Sequence, residues 1–187
     1  MRNRTHEAIG AAVTLGVCAV MDSGGLVAAG AVCASLLGSR LPDADVRGAR
    51  IHRRTRLERR SVVARLAGGV LRLPMTIFAA AARHRGATHW LLTAAALTIV
   101  LTAVAGAVWP ALMAPVAIGA GCGYGAHLLA DACTPHGVPL LGPFSSRRIH
   151  LLPAGLRVAT GGIGDLLMLI TATLMAAALG FVVLQAA

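Results

Sequence analysis

The sequence predicts an all-α fold: a polytopic integral membrane helical bundle of about five transmembrane or membrane-embedded helices, with an interfacial amphipathic helix beside them. Three observations lead there. Of 187 residues, 57% are hydrophobic and only 13% charged, about half the share expected of a soluble domain. Mean hydropathy is +0.75. The charges are clustered between long apolar runs, several of which approach the about 20 residues needed to cross a bilayer. This leaves no room for a separate soluble module, so residues 1–187 read as one membrane-embedded domain.

Apolar segments run over 7–21, 24–40, 87–108, 110–132 and 158–185. The last three have spanning length, whereas the first two are short. Asp22-Ser23-Gly24-Gly25 marks the turn between the first pair, and Trp109-Pro110 the turn between the third and fourth. Arg2 and Arg4 ahead of an apolar run also resemble a secretory leader. No convincing A-x-A site follows and removal would discard His6, so an uncleaved first helix is expected.

The net charge is +10, and every basic residue is Arg. Arg47, Arg50, Arg53, Arg54, Arg56, Arg59, Arg60 and Arg65 crowd one stretch, relieved only by Glu58. These arginines flank apolar segments and are not interleaved with aromatics, so orientation explains them better than nucleic-acid binding, and no nucleic-acid partner is expected. The stretch 46–83 then forms a cytoplasmic loop against anionic lipid headgroups, continuing into an interfacial helix interrupted by Arg65, Arg72 and Pro74. Counting spans from it puts the N-terminus and the loop 133–157 inside and the C-terminus outside. The four cysteines have no CxxC spacing and predict no disulfide framework.

The hairpins bring the remaining polar residues to one membrane face. His6 opens the first helix and Asp43 and Asp45 close the second, in LPDAD (41–45). His84 and His89 open the third in HRGATH (84–89), with Thr88 as its capping residue. His127 and Asp131 close the fourth in HLLAD and, four apart, share a helix face. Each alone has a plain alternative: a buried His–Asp hydrogen bond, turn chemistry, or headgroup contact. Together, in an apolar chain, they point to function. Imidazoles and carboxylates without paired thiolates suit a divalent ion, zinc first, with manganese or iron next. Seven candidates exceed the ligands of one zinc, so two ions, or one ion with the other residues hydrogen-bonded around its ligands, both fit.

LPDAD, HRGATH and GYGAHLLADACTPHGVPLLGPFS (123–145) resemble, in order and over most of the chain, the YdjM-like family of LexA-regulated inner-membrane proteins assigned as metal-dependent hydrolases. The resemblance implies His6, Asp43, Asp45, His84, His89, His127 and Asp131 as the functional set and an inner-membrane location. Trp90 stands where that family commonly has Ser, and His136 occupies a variable position. By the same resemblance Asp165 reads as a second-tier ligand or base.

The expected activity is hydrolysis of a lipid-like ester or phosphoester. Asp43, Asp45 or Asp131 would take the proton, and Arg85, with Arg147 and Arg148 less directly, would hold an anionic group. A metal transporter or sensor would place its ligands near the bilayer midplane. A non-catalytic scaffold would tolerate replacement of the whole His/Asp set.

Overall fold

A computed structural model of the chain describes residues 1–45 and 86–186, apart from the side chains of Ala44 and Asp45. The expected basic loop and interfacial helix of 46–83 lie outside the described residues. Those residues form five α-helices joined by turns and short 3-10 segments. They are α1 (Asn3–Val20), α2 (Gly25–Gly38), α3 (Leu91–Val108), α4 (Met113–Ala132) and α5 (Ile163–Ala186). The fold is an all-helical membrane bundle. Leu91–Val108, Pro110–Ala132 and Ile163–Ala186 are long and apolar enough to cross a membrane, and Gly25–Gly38 is apolar but shorter.

Both expected hairpin turns are present. Asp22 adopts a φ of 50° between α1 and α2, a left-handed conformation that Asp tolerates better than bulkier residues. Trp109 is extended before the 3-10 turn Pro110–Leu112, where proline's missing N–H costs nothing. Two helices start later than the apolar runs suggest. Trp90 is extended and the Leu91 amide donates to Leu140 O, so α3 begins at Leu91. The Val158 amide donates to Cys133 O and Gly161 turns the chain at φ 81°, which delays α5 to Ile163.

α4 is the hub. It packs against α1, α2 and α3, while α5 rests mainly on α1. Its span is 44% buried, against 6% for Leu91–Val108 and 11% for α5, whose exposed Ile99, Val104, Ile170, Leu174 and Phe181 present an apolar surface suited to lipid. Lipid tails are as apolar as these side chains, so helix association depends on close packing rather than on burial from water. Small residues supply that packing. A Cβ at Gly119 would fall on Ala31 O, and one at Gly123 on Ser35 O. The two helices therefore meet backbone to backbone, in steps of four residues on each.

The segment after α4 closes that helix's end. Thr134 Oγ1 donates to Asp131 O at 2.7 Å and the Leu151 amide to Ala132 O at 2.9 Å, satisfying carbonyls that a helix terminus leaves unpaired. Gly137, at φ 62°, turns this segment into a two-residue pairing of Val138 with Ile149.

Replacing Gly119 by Ala is expected to destabilise the bundle by about 1–3 kcal/mol through overpacking against Ala31. Gly121→Ala, whose Cβ meets only Thr98 Cγ2 at 3.5 Å, is expected to be neutral or slightly stabilising. Thermal unfolding in detergent compares them, and equal midpoints would remove the backbone contact as a determinant.

Candidate metal centre

At one end of the bundle, the N-termini of α1 and α3 and the C-termini of α2 and α4 converge. The register that sets Ala31 on Gly119 and Ser35 on Gly123 sets Ser39 on His127 one turn later. There His127 Nδ1–H donates to Ser39 O at 2.7 Å. That bond fixes the tautomer, so the Nε2 lone pair points into the cluster. One further step of four along each segment reaches Asp43, in the 3-10 turn Pro42–Asp45, and Asp131, in the last turn of α4.

His89 arrives from another direction, in the 3-10 turn Ala87–His89 before α3. Its Nδ1 lies 3.0 Å from Thr88 Oγ1, and Tyr124 OH donates to Thr88 O at 2.5 Å. Thr88 does not cap α3, contrary to expectation: the N-cap position falls to Trp90, with no side-chain cap bond, because the hydroxyl is turned toward His89. His6, in the first turns of α1, stacks on His127 with ring centroids 3.9 Å apart and places Nε2 3.3 Å from Asp131 Oδ1. The Met1 nitrogen reaches the same oxygen at 3.2 Å.

Four donor atoms face one another across gaps too long for hydrogen bonds. His89 Nε2 is 3.6 Å from Asp131 Oδ2 and 4.0 Å from Asp43 Oδ1. His127 Nε2 is 3.9 Å and 3.8 Å from the same two oxygens. His6, His89, His127 and Asp131 are all buried, while Asp43 is 24% exposed. Neither Nε2 of His89 nor that of His127 has a hydrogen-bond partner among the described residues. A buried lone pair such as that on His127 Nε2, facing carboxylates, is unfavourable unless a cation or proton lies between them. Zinc donors at about 2.0–2.2 Å in a tetrahedron stand roughly 3.3–3.6 Å apart, so small inward movements suffice. Two groups of residues can hold a metal ion: His6, His127 and Asp131, and Asp43, His89 and His127.

The structure thus brings together His6, Asp43, His89, His127 and Asp131. His84, Arg85 and the Asp45 side chain lie outside the described residues. Asp165 belongs to neither group, its carboxylate being engaged by Thr5 and by backbone amides. Cys133 also belongs to neither, and burial pushes its thiol up, away from the thiolate that a metal would take. Arg147 and Arg148 are exposed on the segment after α4. His136 is exposed too, its carbonyl accepting from Arg148 Nη1.

A family model described as YdjM inner membrane protein matches residues 1–187, the whole chain. The chain belongs to the YdjM inner membrane protein family. Comparison with curated proteins and with solved structures gives no match. In this YdjM family member, Trp90 packs its indole against Gly142, where any Cβ would collide with the ring. Sequence reasoning missed Ser39, which acts through its carbonyl and leaves no residue-type signal. It also missed Tyr124, the chain's only tyrosine, whose place three residues before His127 puts it on a neighbouring part of the same helix face. An ion pair of Arg40 Nε with Glu7 Oε1, at 2.9 Å, was likewise missed; it joins the end of α2 to α1 beside His6.

In the metal-free protein, histidine nitrogen NMR is expected to show His127 protonated at Nδ1. An Nε2–H tautomer would contradict the bond to Ser39 and the direction of the lone pair.

Proposed function

We propose that this chain is a membrane-bound metal-dependent hydrolase that cleaves an ester or phosphoester of a lipid-like substrate at the membrane–water interface. A divalent ion, zinc first and manganese or iron next, would be held by Asp43, His89, His127 and Asp131, with His6 beside Asp131. The observation that carries this reading is the pair of buried Nε2 atoms, without hydrogen-bond partners among the described residues, facing two carboxylates. His127 is common to both donor groups, and with Nδ1 committed to Ser39 its one remaining nitrogen serves a single ion. One ion is therefore preferred over two.

Such an ion supplies a Lewis acid and makes a coordinated water acidic near neutral pH. Asp43 stands at the exposed side of the cluster and is suited to accept a proton from water on its carboxylate. Asp131 is enclosed by His6, His89 and His127 and serves to hold position rather than to exchange protons with solvent. Asp45 remains a candidate base from the LPDAD motif.

A lipid-like substrate is favoured by the surroundings. Leu141 and Phe144 are exposed on the same segment as Arg147 and Arg148, a combination that suits the boundary between acyl chains and anionic headgroups. Arg85, with those two arginines, would grip a phosphate by forked hydrogen bonds. The arginine-rich stretch 46–65 orients this end, and the N-terminus, to the cytoplasmic side of the inner membrane. Transport is disfavoured because the donors cluster at helix ends instead of on interrupted helices at the midplane.

Detergent-purified protein is expected to carry about one equivalent of a divalent metal, lost in His127→Ala. Equal metal in both proteins would sink the site. Asp43→Asn is expected to lower phosphoester hydrolysis about 10²–10⁴-fold, and an unchanged rate would remove Asp43 as the base.

A further inference from the structure

Asp165 is 1% exposed in the first turn of α5. Both of its oxygens are engaged. Thr5 Oγ1 donates to Oδ1 at 2.6 Å, while the amides of Gly161 and Arg2 donate to Oδ2 at 2.8 Å and 3.3 Å. Arg2 Nη2 returns a bond to Gly161 O at 3.3 Å. The Gly161 bond is ordinary helix capping, an acid in a first turn reaching back to a preceding amide. The Thr5 and Arg2 bonds are not, since they cross between the two ends of the chain. They grip α1 at its first turn, where no side chain caps the helix.

Thr5 immediately precedes His6. A turn of α1 by one residue swings a side chain through about 100°, enough to carry the imidazole off His127 and away from Asp131. α5 contributes no donor to the cluster among the described residues, yet it packs along α1. We propose that Asp165 is a positioning residue for His6: by clasping Thr5 and Arg2 it sets the rotation of α1, and so the place of the His6 ring in the metal centre. This rests on the reading of the cluster as a metal centre.

The test is zinc affinity of the full chain in detergent, by chelator competition, with a double-mutant cycle. Asp165→Ala and Thr5→Val are each expected to weaken zinc about 10- to 100-fold. In a His6→Ala background, Asp165→Ala is expected to change affinity less than about twofold, because its effect passes through His6. Equal weakening in both backgrounds would assign Asp165 to helix capping alone and overturn the proposal. A second readout needs no metal: the rate at which diethyl pyrocarbonate modifies His6, followed by mass spectrometry. It should rise several-fold in both single variants, and an unchanged rate would overturn the clasp. If the unsubstituted chain binds no zinc while Asp165→Ala still accelerates His6 modification, the clasp stands and the metal reading falls.

Discussion

Because Gly119 and Gly123 carry no Cβ, the carbonyls of Ala31 and Ser35 lie against the backbone of α4, and the two helices run in one register toward the same end of the bundle. Ser39 and His127 occupy the next step of that register, 88 residues apart in the chain. The hydrogen bond that aims the His127 ring is thus an extension of a packing contact made two turns away. Asp43 and Asp131 follow another step on. A centre of this kind needs donors held within about 0.5 Å, and backbone-to-backbone contact is stiffer than any interleaving of long side chains.

The polar cluster is costly in so apolar a chain. The protein manages that cost by position and by pairing. His127 and Asp131 lie in the final turns of α4, where Thr134 and Leu151 complete the unpaired carbonyls of the helix end. Behind His89, Tyr124 holds the Thr88 carbonyl and the Thr88 hydroxyl lies against the ring's Nδ1. What remains are the Nε2 atoms of His89 and His127, without hydrogen-bond partners among the described residues, in a donor set whose geometry could hold a cation.

Much of this was legible in the residues. The two hairpin turns, the shared face of His127 and Asp131, and the convergence of His6, Asp43 and His89 follow from helix geometry and from where apolar runs stop. The α2–α4 register was not legible. α2 is apolar around its circumference and the polar pair His127 and Asp131 marks only the last turns of α4, so no polar stripe runs along the packing face, and glycines are frequent enough in the chain (22 in all) to hide the two that matter. Ser39 was invisible because a backbone oxygen carries no residue signature. Asp165 was read as a second-tier ligand or base from the family resemblance, whereas two of its partners, Thr5 and Gly161, are small residues that announce nothing.

The wide separation of the cluster's members along the chain has a consequence for biogenesis. Translation delivers α1 and α2 first, with His6 and Asp43 in place before α4, which carries their partners, has been made. The early hairpin therefore enters the membrane with its polar end unmatched and with the carbonyl ladder of α2 waiting for two glycines not yet synthesised. Docking of α4 completes the cluster, and α5, last to arrive, secures the first turn of α1. The histidine–aspartate cluster is in this sense a mark of finished assembly, since no intermediate lacking α4 contains it.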